Sequence, residues 1–394
     1  MIVYADTGKA SIEHLEFNFS MLGALTKLDH VVAALGPAQS HIARTEMPSV
    51  EVLPLDILAD PPNKLGFFRK LAYEIRAIVT VLRFARKNSA TAVVFGYVFP
   101  MAQWLVHLAS KILGVRAFLI LHGDVGAIAK RGIRSWMGSR PWVWLNIGLS
   151  RLGWIECLVL EQRIAQNLAV EGVHVRWIDH PYRFDVTHFV KRPSSARRPI
   201  VLTFAGTLSY ERGYEHLVEL STRLRDLLQQ GSVSIRHVGT SRGLTDADLM
   251  ALRENGVQSA TDNTGAFLTR EQFQEGITAS DFLLILVNQD IYRFICSAAI
   301  LDCLKYDLPF IALRSPLITP LFAENLRPGL SYASVEEMAK GIQEMVNDPS
   351  AIPQFTGLEE LRRRHGIDAV ALQLRNHLAP KPKYPTATGL NEKQ

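Results

Sequence analysis

Two doubly wound α/β domains, each a Rossmann-like parallel sheet covered by helices and facing the other across a cleft, are what this sequence predicts. Three observations lead there. Short apolar runs alternate with helix-length patterns from the first residues onward, the order that builds a parallel sheet buried on both faces. The alternation lapses once, in the Pro-, Ser- and Arg-rich stretch FDVTHFVKRPSSARRP ending at Pro199, and then restarts. At 394 residues the chain is also long for a single hydrophobic core.

In the first half, Ile2 to Ala5, His30 to Ala34, Val50 to Leu53, Ala92 to Phe95, Ala117 to Leu121 and Cys157 to Leu160 read as strands. In the second, the strands are Ile200 to Ala205, Ser234 to Val238, Ala260 to Ala266, Phe282 to Val287, Pro309 to Leu313 and Leu330 to Tyr332. The expected boundaries are residues 1–184 for the first domain, 185–199 for a linker and 200–378 for the second. The segment LEELRRRHGIDAVALQLRNHL reads as a closing helix that returns to the first domain, and residues 379–394 have the Pro, Lys and Thr content of a disordered end. Ligands of open parallel sheets bind beyond the carboxyl ends of the strands, so function belongs in the loops after them.

Composition narrows the class. The 43 Lys and Arg exceed the 38 Asp and Glu by a mild +5 with no basic motif of a nucleic-acid reader, so nucleic acid is not an expected partner. Cys157, Cys296 and Cys303 form no C-x-x-C and no metal spacing, which suits free thiols in a reducing compartment. The start MIVYADTGKAS lacks the features of a secretory signal, and no uninterrupted apolar run reaches about 18 residues, the length that spans a bilayer. A cytoplasmic protein, touching a membrane peripherally, is the expectation.

Two segments carry the chemistry. In PIVLTFAGTLSYERGYEHLVEL, from Pro199, an apolar strand ends at Gly206, a loop carries Arg212 and Gly213, and an amphipathic helix follows. Strand, glycine loop and helix in that order place N–H groups and a cation where a diphosphate sits. In DIYRFICSAAILDCLKYDLPFIAL, from Asp290, a loop reaches Ser297, a helix carries Asp302, and a buried strand closes the unit. Ser297 either caps that helix and no more, or leaves the amides of Ala298 and Ala299 aimed into the cleft.

This arrangement resembles the GT-B glycosyltransferases, and among them the large retaining group of family 4 and its distant relatives. The resemblance covers residues 1 to about 378 and rests on element order and a few short motifs. The family opens its second domain with a strand, a Gly-Arg pair and a later Lys-Gly, whose cations hold the donor diphosphate. Here Gly206 is kept, Thr207 stands in place of the first cation, and Arg212 stands in place of the lysine. The family's paired glutamates, seven residues apart, place Asp302 as the second, which receives the donor ribose through two accepted hydrogen bonds. Counting back to the first lands on Phe294, so the nearby Asp290 is the candidate substitute. The resemblance further implies that His122, after the Ala117 to Leu121 strand, reaches the transferred sugar. It puts Gly239, in IRHVGTSRG, near the nucleotide base.

Other candidates follow from position. Asp124, two residues beyond His122, would take a proton or bind acceptor. Asp6-Thr7-Gly8-Lys9 is a cleft loop without the spaced glycines of a Walker motif. In IDHPYRF, His180, Tyr182 and Arg183 would line the hinge side of the cleft or serve as crossover packing. Asp246-Ala247-Asp248 reads as the acidic first turn of a helix capped by Thr245, not as a metal signature. No hydrolase triad motif, metal-binding motif or G-x-G-x-x-G loop occurs, and no cofactor or metal is expected. The cationic, aromatic stretches KLGFFRKLAYEIRAIVTVLRFARKN and KRGIRSWMGSRPWVWLNIGLSRLGW suit an anionic membrane interface as well as core helices with a solvated face.

The expected function is metal-independent, retaining transfer of a hexosyl group from a nucleotide-diphosphate sugar to a carbohydrate or lipid-linked hydroxyl, in surface polysaccharide or glycolipid synthesis. A nucleotide-sugar epimerase and a catalytically silent nucleotide-sugar-binding or scaffold protein are the alternatives. A dinucleotide oxidoreductase is the least favoured.

Overall fold

The computed structural model describes residues 1–11, 14–58, 64–129, 140–184, 199–259 and 268–379. The expected strand at 260–266, most of the linker and the tail beyond residue 379 lie outside the described residues. In the first half, β1 (Ile2–Asp6), β2 (Val31–Leu35), β3 (Glu51–Pro54), β4 (Ala92–Tyr97), β5 (Ala117–Leu121), β6 (Glu156–Leu160) and β7 (Arg176–Ile178) form one sheet. Its order is β3-β2-β1-β4-β5-β6-β7, and every pairing is parallel. The second half adds β8 (Ile200–Ala205), β9 (Val233–Val238), β10 (Val257–Ser259), β11 (Phe282–Ile285), β12 (Phe310–Leu313) and β13 (Gly329–Tyr332). These form a second parallel sheet in the order β10-β9-β8-β11-β12-β13.

Each sheet is covered on both faces, which is why its central strands are apolar at successive positions. Alternate residues of β1 serve opposite cores: Val3 and Ala5 join the helices Lys64–Lys87, Gln103–Leu113 and Arg140–Ser150, while Ile2 and Tyr4 join the helix Leu15–Thr26. The second sheet likewise carries one core centred on Leu217, Leu284 and Ile342 and another on Ile277, Ile285 and Phe310. Strand order reverses between β1 and β4 in one sheet and between β8 and β11 in the other. Those are the switch points beyond which open sheets form their crevices.

The chain crosses between domains twice. After the second domain, the helix Ile367–Leu378 lies on the Leu15–Thr26 helix, burying Val370, Ala371 and Leu374 in a first-domain core with Leu22, Leu25 and Phe118. Arg116 fixes its end, donating from Nη1 to the Leu378 carbonyl at 2.6 Å and from Nη2 to the His377 carbonyl at 2.7 Å. The outgoing and returning strands touch: Tyr182 bridges to Gly366 and donates its N–H to the His365 carbonyl at 2.9 Å. Asp179 and Gln373 exchange two further hydrogen bonds of 2.7 and 2.8 Å.

The short strand β7, RWI, escaped the sequence reading because its first two residues are only partly covered and three residues carry no period. The three cysteines are free thiols. No helix of the described residues is long and apolar enough to cross a membrane.

Leu374 is fully buried on the returning helix. Leu374→Ala therefore removes packing from the first domain although the residue follows the second in sequence. The expected loss is about 3 kcal/mol, read as a lower denaturant midpoint of the first-domain transition.

Candidate functional site

The second-domain wall is built on close backbone approach. Gly206, at the end of β8 with φ +91°, donates its N–H to the Val238 carbonyl at 2.8 Å and accepts a 3.1 Å hydrogen bond from His237 Nε2. A Cβ on Gly239 would overlap the Gly206 carbonyl, so the loops after β8 and β9 meet only because residue 239 is glycine. They are zipped further by Leu208 N–H to the Thr240 carbonyl at 2.7 Å and by a 3.4 Å contact between the Thr207 and Thr240 hydroxyls.

Arg212 ends the short helical turn Tyr210–Arg212 and is exposed. Its guanidinium lies over Gly206, with Nη1 3.5 Å from where a side chain on that glycine would begin, and its charge bears on the buried Tyr292 hydroxyl. Gly213, with φ +101°, lets this turn press on the carbonyl of Leu286, a contact any side chain would block.

Ser297 occupies the N-cap position of the helix Ala298–Lys305 and is buried, yet its hydroxyl makes no capping bond. The N–H groups of Ala298 and Ala299 are therefore left without a side-chain acceptor. Asp302, on the same helix, accepts a 2.8 Å hydrogen bond from the Tyr182 hydroxyl, and burial lifts its pKa to about 6 against the pull of Tyr182 and Lys305. Lys305 also sits over the Tyr182 ring at 5.6 Å. The hinge tyrosine and the expected ribose acid are thus brought together. Arg183 instead turns to the first domain, over the Phe19 ring at 5.1 Å and 3.5 Å from both Glu16 and Glu46. Asp290 is exposed at the start of the short helix Gln289–Tyr292, its N–H taken by Asn288 Oδ1. Phe294, where the resembling family carries a glutamate, is 1% exposed and packs into a first-domain core.

The first-domain wall gathers titratable groups that burial drives toward neutrality. His122 stacks on His14 at 5.0 Å and meets the Phe17 ring edge-on at 4.4 Å. Its Nε2 is closed off from water with no protein partner, and burial, then His14, hold the imidazole well below its ordinary pKa. His14 and His180 are each lowered to about 3, burial first and neighbouring positive or histidine groups after. Asp124 is raised to about 7 by burial, opposed by Lys9, and its Oδ2 is unpartnered.

Two groups here, Tyr97 and Glu74, escaped the sequence reading, and Asp6 was read only as part of its loop. Asp6, fully buried and raised to about 6 by burial, shapes the Asp6-Lys9 loop by accepting the Gly8 and Lys9 N–H groups at 3.3 and 3.2 Å and Asn18 Nδ2 at 2.7 Å. Tyr97, at the end of β4, carries Lys9 Nζ over its ring at 5.3 Å. Glu74 accepts the Phe99 N–H at 2.8 Å, is raised to about 7 by burial, and leaves Oε2 unpartnered. Its signal was present: an acid on the core stripe Leu71, Ile78, Leu82 of an otherwise cationic helix.

The walls are joined by a buried clamp. Arg163 donates to Glu161 Oε2 at 2.6 Å, to the Tyr292 carbonyl at 3.2 Å and to the Ile295 carbonyl at 2.8 Å. The Cys296 thiol donates to the other oxygen of Glu161 at 2.6 Å. Burial, then Glu161, keep that thiol protonated, its pKa well above the usual value. Ile295 packs against Gly126 so closely that a side chain there would displace it. Across the cleft, Arg270 pairs with Glu16 at 3.3 Å.

Comparison with known proteins gives structure and not sequence. No family model matches the chain, and no curated protein matches it. Among solved structures, Anabaena HepE in complex with UDP and glucose superposes with a TM-score of 0.68 at 13% identity, covering 96% of this chain and 99% of that one. Sucrose-phosphate synthase from Thermosynechococcus elongatus gives 0.64 at 14%, covering 95% and 97%. The lipopolysaccharide outer core galactosyltransferase WaaB, in its apo form, gives 0.60 at 12%, covering 96% and 98%. Two Rossmann-like parallel sheets with these neighbours give the chain the GT-B fold, shared with glycosyltransferases at low sequence identity.

Proposed function

We propose that the protein is a retaining, metal-independent glycosyltransferase that moves a hexosyl group from a nucleoside-diphosphate donor to a hydroxyl on a carbohydrate or lipid-linked acceptor. The observations that support this reading are Arg212 over Gly206 and the uncapped Ser297 helix terminus in the second domain and, in the first, a desolvated His122 whose loop, at Gly123 and Gly126, lies against Ile295 of the segment leading to Ser297. Arg212 and the amides of Ala298 and Ala299 would bind the diphosphate and meet the charge that develops as the bond from the anomeric carbon to the leaving phosphate breaks. The Asp302 Oδ1 is engaged by Tyr182, so the ribose hydroxyls fall to Oδ2. His122 would hold a hydroxyl of the transferred sugar through Nε2, and Asp124, with a pKa of about 7, is suited to take the acceptor proton. Solved complexes of HepE with UDP and UDP-glucose make a uridine diphosphate sugar the first donor to test. The setting proposed is the cytoplasmic face of a membrane, in surface polysaccharide or glycolipid synthesis.

A second reading, a nucleotide-sugar-binding protein without transferase activity, is favoured by one observation. Phe294 fills the family's first-glutamate position with buried apolar surface, and Asp290 is exposed to one side. Binding of UDP-glucose with neither hydrolysis nor transfer would select it.

Calorimetry with UDP tests the donor wall: Arg212→Ala should weaken binding about tenfold or more, as loss of a charged hydrogen bond does, and Asp302→Ala should weaken it too. Unchanged affinity in both sinks the assignment. His122→Ala should leave UDP affinity intact and lower turnover on the order of a hundredfold.

Asp124 has a pH signature. Between its unfolded value near 3.8 and its folded value of about 7, the folded protein holds a proton that the unfolded chain has released. Its contribution to stability is therefore full at acid pH and is lost as pH rises through 7. Unfolding curves at pH 5 and pH 8 should show Asp124→Asn gaining on the wild type toward pH 8, and a constant gap refutes the buried, protonated carboxyl.

A further inference from the structure

The outer face of the first domain carries a feature that neither wall of the cleft uses. Between residues 64 and 116 the sequence holds nine Lys and Arg and a single acid, Glu74, in a chain whose total charge is +5. Glu74 is buried, so the surface of this region is cationic without a local counter-charge. On the helix Lys64–Lys87, Arg69, Arg76 and Arg83 recur every seven residues and are all exposed. Seven residues return a helix to nearly the same face, so the three guanidinium groups form a straight stripe about 20 Å long. Among the described residues none of the three makes an ion pair or hydrogen bond.

Apolar side chains stand beside this stripe. The helix Lys64–Lys87 packs against Gln103–Leu113, and that helix against Arg140–Ser150, side by side over one face of the first sheet. Their outward surfaces are therefore continuous. Ile112 is 73% exposed and Phe68 is 62% exposed, with Leu108 and Leu145 also outward. The middle helix was not singled out by the sequence reading. Its inner face is partly polar, with His107 bonded to Asn146 at 2.6 Å, while Leu108 and Ile112 face out. A helix that meets only water carries polar side chains on its outer face instead.

We propose that this three-helix face docks on an anionic lipid bilayer, the Arg69-Arg76-Arg83 stripe on the headgroups and Phe68, Leu108, Ile112 and Leu145 in the interfacial layer. Unpaired cations match the charge of such a surface, and aliphatic tips among them match its apolar boundary. A nucleic acid answers the charge but offers nothing to Leu108, Ile112 and Leu145. The stripe begins near the cleft: Phe67, beside Phe68, packs on Phe99 in the loop after β4 at 5.6 Å. Docking here holds the cleft mouth close to the membrane. The proposal stands on the outer helices and does not depend on the donor assignment.

Flotation of the full chain with vesicles of neutral phosphatidylcholine, or of the same lipid with phosphatidylglycerol added, tests it. The wild type should float with the anionic vesicles, and raised salt should release it. Arg69→Gln, Arg76→Gln and Arg83→Gln together should lower partitioning on the order of a hundredfold, at about a factor of five per cation near the surface. Ile112→Ser with Leu145→Ser should also weaken it, and all five positions are exposed, so folding is not at stake. UDP binding measured on the same preparations reports the cleft separately: its failure with flotation intact counts against the donor site and not against this surface. Equal flotation with neutral and anionic vesicles, or wild-type behaviour of the triple variant, overturns the proposal. Retention by an oligonucleotide with no flotation does so too, and would reassign the stripe to nucleic acid.

Discussion

The guanidinium of Arg163, buried where the two domains meet, is the interaction on which the cleft depends. An isolated cation at such a place costs several kcal/mol, and the protein offsets this with the Glu161 carboxylate and two second-domain carbonyls. Those carbonyls belong to Tyr292 and Ile295, in the segment that runs from β11 to the helix Ala298–Lys305. Fixing that segment fixes the Tyr292 hydroxyl against Arg212 and brings Ser297 to the start of its helix. Glu161 holds its carboxylate in place from a backbone with φ +81°, a conformation that non-glycine residues rarely adopt and that persists when surrounding bonds determine it.

The two walls divide their electrostatics. Burial has pushed the carboxyls of Asp6, Glu74 and Asp124 up toward neutrality and the imidazoles of His14, His122 and His180 down to it. This first-domain wall offers hydrogen-bonding groups with little net charge, apart from Lys9 at the rim. The opposite wall offers a guanidinium and free amides. On the proposed reading, a neutral, hydroxyl-rich sugar faces the first wall and a diphosphate the second.

Much of the fold was legible because parallel strands buried on both faces leave apolar runs that stand out, as in VVAAL at β2 and AFLIL at β5. The strand β7 was not, since an edge strand of three residues has neither run nor period. In the candidate site, Gly206, Arg212 and Asp302 were singled out from their place after strands or on the following helix. Their partners were not. Tyr182 lies 120 residues from Asp302, and Arg163 lies 132 from Ile295; no local pattern announces contacts that only two domains in register create. Ser297 is the reverse case, a residue at the expected N-cap position whose hydroxyl does not cap. Glu74 was visible as a misplaced acid on a core stripe, a signal that reads as a flaw until burial gives it a reason.

The returning helix has a consequence for how the chain matures. Residues 1–178 supply all seven strands of the first sheet, but the core on one face of that sheet is closed by Val370, Ala371 and Leu374. During synthesis, that face stays partly open while nearly two hundred further residues emerge, and the second domain completes its own sheet in the meantime. The usual order, in which an amino-terminal domain folds first and alone, is thereby reversed in its final step. The last packing event in the first domain waits for the last of the described helices, and contacts of such long sequence separation form slowly. A ribosome stalled or a chain cut before that helix leaves an apolar groove on the Leu15–Thr26 helix, which makes the carboxyl-terminal end a checkpoint for the amino-terminal half.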